Sequence, residues 1–175
     1  MSGGAVAVRA AGPADLALLA ELGERTYREH FSALWSAAGI DAFVARHFAP
    51  AELARELGGD EVRYLLAFDG DAAVGFAKAI RDQPVPTRPE QRGLELQKIY
   101  FTRAAVGRGH GAATLDRVLT LARSLGEPCV WLDVLKSNQG ATRFYERHGF
   151  ARIGELPFAS DLGVDIGMWV LLRSL

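Results

Sequence analysis

Apolar residues along this chain fall on two periods, one near 3.6 and one near 2, with short continuous apolar runs between them. Ala5 to Ala10 reads as a first strand. Gly12-Pro13 breaks it, and proline suits the first turn of a helix. Leu16, Leu19, Ala20, Leu22, Gly23 and Tyr27 then recur at helical spacing and predict a helix from about Ala14 to His30. Phe31, Leu34, Trp35, Ile40, Phe43, Val44 and Phe48 continue an apolar helical region, with a break expected near Gly39. Pro50, with Glu52 in the first turn, opens a short helix to about Leu57.

From Gly58-Gly59-Asp60 onward the pattern changes to strands. Val62 to Phe68 and Ala73 to Ile80 read as a hairpin around Asp69-Gly70-Asp71. Asp82 to Gly93 holds Pro84, Pro86 and Pro89 and reads as an exposed loop. Leu94 to Phe101 is the next strand. Leu115, Val118, Leu119, Ala122 and Leu125 form one face of a helix from about Ala112 to Leu125, stopped by Gly126-Glu127-Pro128. Cys129 to Leu135 is almost wholly apolar, as in a strand buried on both faces. Ser137 or Asn138 caps a helix from Gln139 to about His148, and Phe150 to Pro157 and Val164 to Leu172 are the last two strands. The order of elements gives a mixed α/β layer fold, not a run of regular βαβ repeats.

Length and composition narrow the class. The 175 residues suit one domain spanning 1–175, and 49% hydrophobic with 23% charged is the balance of a globular protein. A net charge of −1 gives no general drive toward nucleic acid or an acidic membrane. Met1-Ser2-Gly3-Gly4 does not begin a signal peptide, Ser2 stands where myristoylation needs glycine, and no apolar run approaches the ~18 residues of a membrane span. The single cysteine, Cys129, forms no internal disulfide and fits a reducing cytoplasm. The histidines His30, His47, His110 and His148 have no metal-ligand spacing, so no metal is expected. Ala122-Arg123-Ser124-Leu125-Gly126 lacks the first glycine of a nucleophile elbow and sits at a helix end.

The most informative stretch is Val106-Gly107-Arg108-Gly109-His110-Gly111-Ala112, between a strand and a helix. Glycines at every second position turn the backbone tightly and leave amide N–H groups uncovered. At a helix N-terminus those amides make an anion site. A P-loop would need Lys-Ser/Thr after the last glycine, and here Ala112-Ala113 follows. The spacing also meets the loose dinucleotide pattern, but late in the chain and without a clear ribose-binding acid, although Asp133 lies in the next strand. A glycine turn with no ligand is equally compatible with this stretch alone.

The second half of the chain decides between these. Leu96-Gln97-Lys98-Ile99-Tyr100-Phe101, then Gly107-Arg108-Gly109-His110-Gly111-Ala112, then Trp131-Leu132-Asp133-Val134, then Asn138 to Phe150 with Ala141, Phe144 and Tyr145, follow one another in order and spacing. This resembles the GNAT superfamily of acyl-coenzyme A N-acyltransferases, and in detail the Pai-type polyamine acetyltransferase branch. The resemblance covers about Leu94 to Phe158. Val106 departs from it, since the family often has Gln or Arg there, but that position contributes mostly backbone.

The resemblance implies a mixed, mostly antiparallel sheet of about seven strands, splayed in the middle, with helices on both faces. It implies acetyl-coenzyme A as co-substrate, with its pyrophosphate on the amides of Gly107, Arg108, Gly109, Gly111 and Ala112. Its pantetheine arm would run along the main chain of Ile99, Tyr100 and Phe101, and a backbone N–H there would polarise the thioester carbonyl. Five basic residues against one acid between Lys98 and Arg123 suit a phosphorylated ligand. Tyr145 matches the family tyrosine that serves the leaving thiolate; structurally it also reads as a buried aromatic beside Phe144. Glu95, fourteen positions before Gly109, is the candidate base for the attacking amine, and also reads as a plain strand residue. Asn138 is a candidate cofactor or water contact as well as a helix cap.

In this superfamily the first helices and the last hairpin shape the acceptor pocket. Ala14 to Leu57 carries seven acids and four arginines, which tolerates a cationic acceptor such as a polyamine. Tyr27 and His30, with Phe31 and Trp35, are candidates to line the pocket. The expected activity is acetyl transfer to a small amine or a peptide amino group. The alternative is a non-catalytic acyl-coenzyme A or amine sensor. A homodimer is a family tendency.

Overall fold

The computed structural model describes residues 6–158, 161–163 and 166–175. Strand β1 (Val6–Ala10) leads through a 3-10 turn at Pro13–Asp15 into α1 (Leu16–Phe31). Arg9 pairs with Asp15 at 2.7 Å, and Asp15 accepts from the Gly12 amide at 2.9 Å, so the turn is closed on both sides. The next helices are α2 (Ala37–His47) and α3 (Pro50–Leu57). The break expected near Gly39 falls instead at residues 32–36. Ser36 is the N-cap of α2, with its Oγ accepting from Gly39 N at 3.0 Å, so Gly39 belongs to the first turn.

Strands β2 (Val62–Asp69), β3 (Ala72–Val85) and β4 (Arg88–Phe101) form a meander. The loop expected over Asp82–Gly93 is in fact the far end of the β3–β4 hairpin, pairing Gln83 with Gly93, Pro84 with Arg92 and Val85 with Arg88. Two causes outweigh the prolines. Val85 is wholly buried against Cys129, Trp131, Val170 and Leu172, and Pro84 sits between register shifts, where a missing N–H costs little.

After a 3-10 turn at Arg103–Ala105 come α4 (His110–Ser124), β5 (Cys129–Leu135), α5 (Gln139–Arg147), β6 (Ala151–Leu156) and β7 (Met168–Ser174). Ala5 and the start of the expected strand at Val164 lie outside the described residues. The seven strands make one sheet in the order β1-β2-β3-β4-β5-β7-β6. Every neighbouring pair is antiparallel except β4–β5, which is parallel over only Leu94–Val130 and Glu95–Trp131. Beyond that point the two strands part.

The sheet carries two separate cores. On one face Leu94 and Leu96 of β4, with Val130, Leu132 and Val134 of β5, pack on Leu115, Val118, Leu119 and Ala122 of α4 and on Tyr145 of α5. On the other face Tyr64, Leu66 and Phe76 pack on Leu19, Leu22 and Tyr27 of α1, Ile40 of α2 and Leu53 of α3. Gly23 lets α1 close on the second core, because a Cβ there would lie 2.2 Å from the Phe48 ring.

Candidate active site

The gap between β4 and β5 brings the two halves of the site together. Register runs from Lys78–Lys98 directly to Ala79–Leu96, so Gln97 is an extra residue, a β-bulge on β4. A bulge re-aims backbone and side chains where it occurs. Here it lies just past the last β4–β5 pair, and the β4 main chain from Gln97 to Phe101 has no ladder partner on the β5 side. An extended ligand chain can add to such an edge as a further strand. Ile99, Tyr100 and Phe101 are therefore where a pantetheine arm was expected.

The glycine turn lies beyond the end of this gap. Gly107 and Gly109 have φ of +80° and +86°, and Gly109 is the N-cap of α4. A Cβ at either would meet nothing within 4 Å, so backbone conformation, not packing, requires glycine there. The amides of His110, Gly111 and Ala112 are first-turn donors without an intrahelical acceptor. This cradle fits a pyrophosphate. Gly111 faces Phe144 and Phe101, where a Cβ would lie at 3.6 and 3.9 Å, which ties the turn to α5 and β4. The Arg108 guanidinium pairs with Asp69 at 2.8 Å. Arg103 is likewise engaged, its guanidinium donating to the carbonyl of Glu29 and its amide to the Glu29 carboxylate at 2.6 Å. Lys98, counted among the basic residues toward the phosphate, lies on the other face of the sheet under α2, its Nζ 5.6 Å from the Phe43 ring.

Glu95 alternates with Leu94 and Leu96, which belong to the α4–α5 core, so it points to the α1–α3 face at the mouth of the gap. Burial, then the nearby Asp133, pushes its pKa up to about 7 despite Lys98 and Lys78. Asp133 alternates with Leu132 and Val134 in the same way and is itself raised, chiefly by burial. Asp133 is nonetheless exposed, between the buried Leu132 and Val134. Tyr145 approaches the gap from the opposite face. It is buried in the α4–α5 core, edge-on to Phe144 and Phe150, and its hydroxyl bonds no protein group among the described residues. Burial and Asp133 push its pKa above the ordinary phenol value, so it stays protonated and donates.

Behind Glu95 lies a buried polar cluster that the sequence pattern did not flag. Lys78 Nζ meets Glu56 Oε1 at 2.5 Å, and Tyr64 donates to Glu56 Oε2 at 2.5 Å. Burial, then this bond, raises the Tyr64 pKa. His47 is held down to about 4 by burial and by Lys98 and Lys78, and stays neutral. The signal available was Lys78 itself, a charge inside the apolar run Ala73–Ile80.

The two acceptor-side candidates do not join Glu95. Tyr27 is 3% exposed and stacked on Phe43 with centroids 3.8 Å apart; it meets the site only through Tyr100, at 6.4 Å. Burial raises its pKa to about 12. His30 is exposed, and its Nε2 lies 2.7 Å from the Phe101 carbonyl, tying the end of β4 to α1. Asn138 caps α5, with Oδ1 accepting from Ala141 N at 3.1 Å. Among the described residues no group of three or more His, Cys, Asp or Glu is placed to hold a metal, and no helix is long and apolar enough to cross a membrane.

Comparison with known proteins agrees with this fold. Residues 23–150 match the family model described as Acetyltransferase (GNAT) family. An uncharacterised N-acetyltransferase of Mycobacterium tuberculosis is 34% identical over 119 residues, which span 68% of this chain and 72% of that protein. The PaiA N-acetyltransferase of Thermoplasma acidophilum, solved with coenzyme A, superimposes with a TM-score of 0.77 over 98% of this chain and 99% of its own, at 16% identity. YncA of Salmonella typhimurium, described as a putative acetyltransferase with its cofactor acetyl-CoA, gives 0.70 over 98% and 94%, at 20% identity.

Proposed function

The chain belongs to the acetyltransferase (GNAT) family, and we propose that it moves the acetyl group of acetyl-coenzyme A to a primary amine by direct attack in a ternary complex. The observation that carries this reading is the gap between β4 and β5, with Glu95 and Asp133 on one side and Tyr145 on the other. Two similar structures that hold coenzyme A or acetyl-coenzyme A support the choice of co-substrate. Small amines, polyamines and peptide amino groups all fall within the reading. The free, buried Cys129 fits a cytoplasmic setting.

Bound acetyl-coenzyme A supplies an acyl group on a thioester: the amine nitrogen forms a bond to the acyl carbon, and the carbon–sulfur bond breaks. The residues of this chain manage the charge and the protons. An ammonium has no lone pair, so Glu95, directly or through a water, takes its proton before attack. A carboxylate with a pKa near 7 is suited to this at neutral pH, being ionised yet basic. A β4 backbone N–H at the bulge meets the negative charge developing on the acyl oxygen. The Tyr145 hydroxyl donates to the leaving thiolate, its raised pKa keeping the proton in place as a hydrogen bond.

Mixing the protein with acetyl-coenzyme A and a panel of amines, and following free thiol, tests the reaction. Release with at least one amine is expected. Coenzyme A binding without release on any amine would instead make the protein a sensor. On the best amine, Tyr145→Phe lowers kcat about 100-fold with the cofactor KM little changed; an unchanged kcat removes the tyrosine from the reaction.

A further inference from the structure

Three ionisable groups meet at the gap on the α1–α3 face, and among the described residues none of them is in a salt bridge, although Gln97 hydrogen-bonds Glu95. Glu95 and Asp133 supply two carboxylates. Lys98, 5% exposed, supplies an ammonium whose sole hydrogen bond among the described residues goes to Gln97 Oε1 at 2.8 Å. Its cross-strand partner is another lysine, Lys78, directly opposite in register. Like charges facing one another across a ladder repel. Glu56 neutralises Lys78, but among the described residues no carboxylate pairs with Lys98. A buried ammonium with unused N–H donors is expensive. Its pKa, lowered to about 8 by burial and then by Lys78, reflects that cost.

Six of the seven acids that suggested a cationic acceptor are paired elsewhere. Asp15 pairs with Arg9, Glu24 and Asp41 with Arg28, Glu29 with Arg25, and Glu52 with Arg55. Glu56 is committed to Lys78 and Tyr64. Among the described residues, the charges at the gap itself are those of Glu95, Asp133 and Lys98. Two carboxylates suit the amine in its arriving ammonium form. The unpaired ammonium beside them suits an anion on the same molecule. A polyamine would bring a second cation toward Lys98, and a plain amine would leave it bare.

Resting on the acetyltransferase reading above, we propose that the acceptor is an amine with a carboxylate a few bonds from its nitrogen, of α- or β-amino acid type, and that Lys98 holds that carboxylate. Lys98 is then the residue that sets acceptor specificity, three positions along β4 from the base.

Matched pairs that differ only by the carboxylate test this: L-leucine against isopentylamine, L-lysine against cadaverine, β-alanine against ethylamine, with spermidine alongside. Thiol release gives kcat/KM for each. In at least one pair the amino acid is expected to exceed its decarboxylated partner about tenfold or more, the range of a hydrogen bond to a charged group. In Lys98→Met that ratio collapses toward one, mainly through the acceptor KM, and Lys98→Arg restores part of it. Coenzyme A titration checks that the variants are folded; where one is not, the ratios of the unaltered protein decide. Preference for the decarboxylated amines or spermidine throughout overturns the proposal, as does an unchanged ratio in a folded Lys98→Met. Turnover of plain amines alone overturns this inference and leaves the acetyltransferase reading standing. Coenzyme A binding with no thiol release on any amine overturns both.

Discussion

On the α4–α5 face of the sheet, α4 and α5 bury Leu115, Val118, Leu119 and Tyr145 against β4 and β5, with His110, Thr114 and Thr142 the polar side chains buried on those two helices. On the α1–α3 face Lys78, Lys98 and Glu56 are buried together with Tyr27, Tyr64 and Phe76. The strands are the same, so the difference lies in what each face is for. Beside α4 the proposed cofactor site is made of main chain, the amides of the glycine turn and the open edge of β4. Of the side chains buried there, Tyr145 alone is given a part in the proposed reaction, as a hydrogen-bond donor that keeps its proton. On the other face protons must move, which takes side chains whose pKa values are displaced, and displacement needs burial. That face gives up some stability for reactivity.

The largest effect expected from this contrast is at Glu95. Glu95→Gln keeps the shape and removes the base, and should lower kcat/KM by about 100- to 10,000-fold at pH 7.5. The pH profile gives the sign. A carboxyl raised to about 7 is protonated and inactive below that pH, so the rate climbs through pH 7 toward a plateau. Ionisation of the amine adds a second rise at higher pH. Glu95→Gln should lose the first rise and keep the second. Asp133→Asn should move the first rise to lower pH, because Asp133 is the second cause of the shift. A profile unchanged in Glu95→Gln would remove the main chemical distinction between the two faces.

A smaller effect, mainly on stability, is expected at Lys78, whose removal also raises the Glu95 pKa and moves the first rise to higher pH. Lys78→Met leaves Glu56 buried with Tyr64 as its remaining close partner, and removing one member of a buried pair costs about 3–5 kcal/mol. Replacing both, in Lys78→Met with Glu56→Leu, should recover much of that loss, because two apolar side chains no longer bury a charge. Urea denaturation of the two single variants and the double variant measures the coupling. Additive losses would mean that the pair is not energetically one unit.

The same contrast explains what could be read from the chain before its structure. The α4–α5 side was legible because its determinants are local: Gly107 and Gly109 for the turn, the helix that follows, and the apolar run Cys129–Leu135. The hairpin end at Val85 was not, because the burial that outweighs Pro84 comes from β5 and β7, far away in sequence. The buried charges were not legible either. Glu56 reads as an ordinary helix-surface acid, and only the packing of α3 on β2 and β3 brings it to Lys78 and Tyr64. Lys98 read as a charge for the cofactor because strand alternation, without the bulge at Gln97, does not fix the face on which it falls. Tyr27 and His30 were named for the pocket from their place in the first helix, and their contacts, stacking on Phe43 and a bond to the Phe101 carbonyl, depend on elements the pattern does not bring together.

Asn138 gives the smallest and most discriminating test on the cofactor side, where the contrast holds that main chain suffices. Its Oδ1 caps α5 through the Ala141 amide, which accounts for an asparagine there without any ligand. Asn138→Ala should cost about 1 kcal/mol as a lost cap. Serine caps as well as asparagine but has neither its reach nor its amide N–H groups. If capping is the whole role, Asn138→Ser has the stability and the coenzyme A affinity of the unaltered protein. If the amide also contacts the cofactor, Asn138→Ser keeps its stability and binds coenzyme A several-fold more weakly, about 1 kcal/mol. Equal affinity would leave recognition on that face to the backbone of β4 and the glycine turn; a weakened affinity would show that α5 supplies a side chain as well.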